Sequence, residues 1–249
     1  SQSELEVSPE STVDYVHLTD KGMSEQATSV ERKVREILNI PMGDRPTTRP
    51  VTQRRSAGYE WRARHYDITS EATNKQPKAL VIGNSIIHNW SEKSINLGTK
   101  VWNEKMAKEF VGLGCSWDRI ENVLWRVYHG ALDDCKPEKI VVKIGTNNLS
   151  RDTNIDIVEG IRFLLSAIRM RQPEATIRVL GILPRRGEEQ RVVEINRLIE
   201  AMAKQGGYEF ADPGRNLLLE NGKINESLFT DGLHPNDAGY VCIVEDFMK

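Results

Sequence analysis

The chain has 249 residues, 28% of them charged and 39% hydrophobic, with a formal net charge of −2 at pH 7. That is enough chain for one sizeable α/β domain with an appendage, in the composition range of soluble globular proteins. The near-balanced charge excludes a broad surface for nucleic acid or an anionic membrane. No apolar run approaches the ~18–20 residues of a membrane-spanning helix. The cysteines, Cys115, Cys135 and Cys242, are odd in number and lack metal-ligand spacing, so they read as buried apolar residues. No charged start followed by an apolar core marks a signal peptide. The compartment stays open, with a periplasmic or secreted place favoured if Ser1 follows a removed signal.

Residues 1–12 are polar and read as a loose end. The next stretch, Val13-Asp14-Tyr15-Val16-His17-Leu18-Thr19-Asp20-Lys21-Gly22-Met23, matches Thr230-Asp231-Gly232-Leu233-His234-Pro235-Asn236-Asp237-Ala238-Gly239-Tyr240 near the other end. Asp14, His17, Asp20 and Gly22 stand at the spacing of Asp231, His234, Asp237 and Gly239, a short internal repeat. A helical pattern follows each copy, over 29–38 and over 240–248. Residues 41–56 carry Pro, Gly, Arg and Thr without an apolar period, as a linker or a surface-hugging loop does. The chain is therefore divided into an N-terminal extension, 1–47, and a main domain, 48–249. Residues 59–68 are weakly helical, with Tyr59, Trp61 and His65 near one face.

Ala79-Leu80-Val81-Ile82 is a short unbroken apolar run of the kind that suits a strand buried on both faces of a parallel sheet. Gly83 ends it and lets the chain turn, which puts Asn84-Ser85 at the carboxyl end of the strand. Over 101–110, Trp102, Met106 and Phe110 recur every four residues, a helical stripe read as core packing. Val111-Gly112-Leu113-Gly114 is the second strand and its exit, and Trp117-Asp118 begins a loop. A helix over 120–128 carries Val123, Leu124 and Val127 on one face. Lys139-Ile140-Val141-Val142-Lys143-Ile144 is a β-branched strand that ends in Gly145-Thr146-Asn147-Asn148. Ile157, Ile161, Leu164, Leu165 and Ile168 predict a long amphipathic helix. A strand over 176–182, a helix from Val192 to beyond Met202 that ends at Gly206-Gly207, and a short strand over 208–211 complete the series. Alternating strands and helices imply a parallel sheet covered on both faces.

Parallel strands deliver their carboxyl ends to one edge, where open α/β sheets build their sites. Three polar groups fall there: Ser85, Asn147 with Asn148, and the later pair Asp231 and His234. An Asp three residues before a His can reach Nδ1–H and fix the tautomer, leaving Nε2 as a base for Ser85. A side-chain amide such as that of Asn147 can join backbone N–H groups in holding an oxyanion. His65, His88 and His129 are scattered and read as ordinary core or surface histidines. No metal cluster is visible and no cofactor is expected.

Gly83-Asn84-Ser85, Gly145-Thr146-Asn147-Asn148 and Asp231-Gly232-Leu233-His234 stand in the order and relative positions of the blocks of the SGNH, or GDSL-type, ester hydrolases. The chain resembles that family from about residue 59 to its end. Asn122-Val123-Leu124-Trp125-Arg126 and 141–148 are especially similar to its platelet-activating-factor acetylhydrolase branch. The resemblance implies a three-layer α/β/α sandwich around a flavodoxin-like five-stranded parallel sheet. It implies Ser85 as nucleophile, His234 as base and Asp231 as its orienting acid. It implies an oxyanion hole from the Ser85 N–H, Asn147 and one loop N–H, that of Trp117 or of Gly114.

Two positions depart from the pattern. The family's Asp before the Ser is Asn84 here, and the loop Gly falls at Trp117. Asn84, Asn148 and Trp117 are expected to contact substrate. The expected activity is hydrolysis of short acyl esters, acetyl above all, of a carbohydrate. The alternatives are a lipid acetylhydrolase or a catalytically silent binding module. A homodimer is left open. The Asp14/His17 copy reads as the tail of a preceding domain of the same kind.

Overall fold

The computed structural model describes residues 17–37, 45–53, 59–92 and 97–249. The chain separates into two compact units, Ser1–Asp44 and Arg45–Lys249.

In the first unit, helix α1 runs Asp20–Ile37, starting well before the expected 29. The reason is a cap: Thr19 Oγ1 accepts the Gly22 N–H at 3.1 Å and the Thr19 carbonyl accepts the Met23 N–H at 2.8 Å, so the first turn closes at Thr19. The C-terminal copy of the repeat is built the same way. There Asn236 Oδ1 accepts the Gly239 N–H at 3.1 Å and opens the chain's last helix. Asp14 lies outside the described residues.

The second unit begins at Arg45. Pro46–Thr48 forms a 3-10 turn with Thr47 and Thr48 buried. Thr47 Oγ1 donates to the Asp156 carbonyl at 2.7 Å, so this stretch of the expected linker hugs the domain. Helix α2 spans Trp61–Lys75, with Trp61, His65, Ile68 and Ala72 inward. Strand β1 (Ala79–Gly83) leads into the short helix α3 (Ser85–Ser91). The expected helix over 101–110 is instead a single turn, α4 (Thr99–Val101), continued by a π-turn at Trp102–Met106. Phe110 already belongs to β2 (Phe110–Gly114), because it pairs with Ala79 in the sheet. There follow α5 (Ile120–Tyr128), β3 (Lys139–Lys143), α6 (Asn154–Arg171), β4 (Thr176–Leu180), α7 (Glu189–Gly206), β5 (Glu209–Ala211) and α8 (Asp237–Met248).

The five strands form one all-parallel sheet in the order β2-β1-β3-β4-β5. Successive side chains alternate between faces. Leu80, Ile82, Ile140 and Val142 pack with residues of α2, α5, α6 and α7. Ala79, Val81 and Val141 pack with Ile86, Ile87 and Trp90 of α3 and with Tyr240, Ile243 and Phe247 of α8. The result is the three-layer α/β/α sandwich. Strand order reverses its direction of growth between β1 and β3, the switch point where such sheets bind ligands. No helix among the described residues is long and apolar enough to cross a membrane.

Candidate active site

Gly83 must be glycine, because a Cβ there would lie 2.6 Å from the Lys143 carbonyl oxygen on the neighbouring strand. Asn84 caps α3, its Oδ1 accepting the Ile86 N–H at 3.1 Å. Ser85 is thereby the first residue of the helix, with an N–H that no turn of that helix can use.

The Ser85 hydroxyl donates to His234 Nε2 at 2.8 Å, and His234 Nδ1–H donates to Asp231 Oδ2 at 2.7 Å. With its proton on Nδ1, the imidazole offers Nε2 as the acceptor a serine hydroxyl needs. The other carboxylate oxygen, Asp231 Oδ1, accepts the N–H groups of Leu233 at 2.9 Å and His234 at 2.8 Å. Partial burial pushes the Asp231 carboxyl up, but the bonds from the His234 backbone and ring and from Leu233 outweigh it and hold the group below the usual carboxylate range. The loop is locked by the Arg186 N–H on the Gly232 carbonyl at 2.8 Å. Gly232 sits at φ +80°, left-handed backbone that L side chains rarely adopt. Helix α8 anchors the block to the helix that Ser85 opens, Tyr240 O–H donating to the Ile86 carbonyl at 2.7 Å.

On the other side of Ser85, the chain leaves β3 through Gly145, whose φ of +114° swings it into a 3-10 turn at Thr146–Asn148. Asn147 is half-buried and donates one amide hydrogen to the Asp118 carbonyl at 2.9 Å. An amide carries two. The Asp118 side chain is wholly buried, taking Arg126 Nε at 2.9 Å and Trp61 Nε1 at 2.7 Å. Burial pushes its carboxyl up to about 6 against the pull of Arg126. The Arg126 guanidinium also donates to the carbonyls of Leu113 at 3.1 Å and Gly83 at 3.2 Å, tying the ends of β1 and β2 to this loop.

Between Gly114 and Asp118 stands Trp117, in left-handed backbone at φ +66° and 43% exposed. A non-glycine residue held there stores ~1–3 kcal/mol of strain. The conformation suits the glycine that the family pattern has at this place.

Gly114 closes β2 beside Gly83; a Cβ there would strike the His88 backbone nitrogen, and its carbonyl accepts Arg64 Nε at 2.8 Å. Asn148 is fully buried, accepting the Ile120 N–H at 3.1 Å and donating to Glu121 at 3.0 Å and Asp152 at 2.9 Å. It pins the start of α5 and reaches no open surface, so the expected substrate contact is corrected. Asn84 is likewise fully buried and caps α3.

His65 and His88 are buried; His129 is exposed and stacks on Trp125 at 3.7 Å. Arg126, Asp118, Tyr59 and His88 are the residues around the site that sequence reasoning did not assign to it. The family-like stretch around Trp125-Arg126 and the place of Asp118 after the loop position Trp117 were the pointers to this cluster.

Residues 81–241 match the GDSL-like Lipase/Acylhydrolase family. The platelet-activating factor acetylhydrolase IB subunit alpha2 of Bos taurus is 30% identical over 190 residues, covering 74% of this chain and 80% of that one. The alpha1 subunit of Rattus norvegicus is 27% identical over 205 residues, 80% of this chain and 85% of its own. Among solved structures, a GDSL-like lipase from Bacteroides thetaiotaomicron superposes with a TM-score of 0.63 at 17% identity, over 76% of this chain and 97% of the other. A member of the lipolytic G-D-S-L family from Veillonella parvula gives 0.57 at 15%, over 68% and 95%. At those identities the structural likeness speaks for the fold, and the sequence match speaks for the kinship. The chain belongs to the GDSL-like lipase/acylhydrolase family and is an ester hydrolase of its platelet-activating-factor acetylhydrolase-like branch.

Proposed function

We propose that this hydrolase works through an acyl-enzyme on Ser85 and removes short acyl groups, acetyl foremost. The observation that carries the reading is the unbroken relay from Ser85 Oγ through His234 to Asp231, at 2.8 and 2.7 Å. As Ser85 Oγ attacks the ester carbonyl, His234 Nε2 takes its proton and Asp231 stabilises the imidazolium. The leaving alcohol collects that proton. Water then attacks the acyl-enzyme with His234 again as base, and Ser85 is restored. The oxyanion is held by the Ser85 N–H, the second amide hydrogen of Asn147 and the Trp117 N–H. Loss of one such donor typically lowers turnover ~10²–10³-fold.

The first reading of the substrate is an acetylated carbohydrate, supported by the exposed Trp117 beside the site, a flat apolar face on which a sugar ring can stack. The second reading, a lipid acetyl ester, is favoured by the similarity to the platelet-activating factor acetylhydrolase subunits. Residues 13–23 are read as a copy of the closing block without a nucleophile of its own, inside an N-terminal extension over 1–47 that is the tail of a preceding domain of the same kind. A stoichiometric burst of p-nitrophenol from p-nitrophenyl acetate tests the acyl-enzyme, and no burst combined with no turnover refutes it. Acetate release from acetylated xylo-oligosaccharides against acetylated glycerophospholipids decides between the substrates.

A further inference from the structure

The strained backbone at Trp117 has to be held by its surroundings, and the hydrogen bonds just before it are concentrated on one residue. The Ser116 carbonyl accepts the Tyr59 O–H at 2.8 Å and the Gln53 amide at 3.1 Å. The Ser116 N–H donates to His88 Nδ1 at 3.1 Å, and the Ser116 hydroxyl lies 2.9 Å from the same nitrogen. Tyr59 and His88 brace each other edge to face, with ring centroids 5.2 Å apart.

A peptide unit is planar and trans, so its C=O and N–H point in opposite directions. The carbonyl of Ser116 and the N–H of Trp117 are two edges of one such plane. Fixing the carbonyl on Tyr59 and Gln53 therefore aims the Trp117 N–H the other way. His88 fixes the preceding plane from α3, one turn beyond Ser85. Burial pushes the His88 imidazole down to about 4, so near neutral pH Nδ1 stays an acceptor.

We infer that Tyr59, Gln53 and His88 are positioning residues that orient the Ser116–Trp117 peptide, and with it the oxyanion-binding N–H of Trp117, relative to Ser85. The inference rests on the reading of Trp117 as an oxyanion donor. A donor aimed in advance stabilises charge that develops only in the transition state, so loosening it lowers kcat and spares substrate binding.

The test uses the full chain, p-nitrophenyl acetate as substrate and ethylboronic acid as a tetrahedral mimic on Ser85. Tyr59→Phe removes one hydroxyl and keeps the ring. Its kcat should fall roughly tenfold with KM unchanged, and boronate affinity should fall by the same factor. His88→Leu should behave alike. His88→Asn, which keeps an acceptor near the place of Nδ1, should recover most of that loss. A role limited to packing would lower the melting temperature without separating kcat from KM. Should His88→Leu fail to fold, Tyr59→Phe alone decides. Wild-type kcat in folded Tyr59→Phe, a raised KM at unchanged kcat, or boronate affinity that does not follow kcat would each overturn the inference. Ser85→Ala separates the two levels. An inactive Ser85→Ala beside a normal Tyr59→Phe removes only the clamp, whereas an active Ser85→Ala removes the proposed chemistry as well.

Discussion

Lys143 closes β3 on the face of Val141, fully buried, and its Nζ has no hydrogen-bond partner among the described residues. Burial alone pushes the ammonium down from 10.5 to about 7. Its folded pKa lies below its unfolded one, so the folded state prefers the neutral amine. Stability is full above 10.5 and declines as pH falls to about 7, where the folded state begins to carry the charge. At ~1.4 kcal/mol for each tenfold change in proton affinity, the whole penalty is about 5 kcal/mol below pH 7 and about 2 kcal/mol at pH 9. Lys143→Met keeps the length of the side chain and removes the charge. It should therefore stabilise the protein by several kcal/mol at pH 6 and by about 3 kcal/mol less at pH 9. Urea unfolding of both proteins at the two pH values measures this directly. A difference between them that does not change with pH, or a variant less stable at pH 6, would refute the reasoning.

Ser85→Ala should fold as the parent does and lose esterase activity by several orders of magnitude; undiminished turnover in material free of other esterases would sink the assignment of the nucleophile. His65, with no exposed surface, is pushed down to about 4 by burial. It contributes stability above its unfolded value near 6.5 that is lost as pH falls through 4, about 3 kcal/mol in all. His65→Gln, which can keep the donor to the His129 carbonyl, should flatten the loss of stability measured between pH 7 and pH 4; an unchanged acid transition speaks against it. His234→Ala should abolish activity while His17→Ala leaves it intact, and a dead His17→Ala in a folded protein would reverse the assignment of the two Asp-x-x-His copies.

The sheet was legible because its central strands, β1 above all, are buried on both faces and so appear as short apolar runs. Ser85 and Asn147 could be placed together because parallel strands deliver them to one edge, and the Asp231–His234 block was joined to them by its spacing. What stayed hidden depends on contacts across the fold. Phe110 fits a helical stripe, yet pairing with Ala79 draws it into β2. The helix after the first Asp-x-x-His copy starts early because Thr19 caps it. Asn84 and Asn148 sit in site blocks, but their side chains turn inward to hold α3 and α5. The Asp118–Arg126 pair and the Ser116 clamp join segments whose meeting no local pattern announces. Lys143 reads as an ordinary strand lysine until β1 and the covering helices close over it.

Ser85 and His234 are separated by 149 positions, and the bond between them exists only when α8 has docked through Tyr240 on Ile86. Contacts so distant along a chain close late and slowly in folding. On the proposed relay, turnover reports that the last segment has found its place, a condition that secondary-structure content alone does not register. Recovery of esterase activity during refolding should lag behind recovery of helical signal, which makes the enzyme a clock for its own completion.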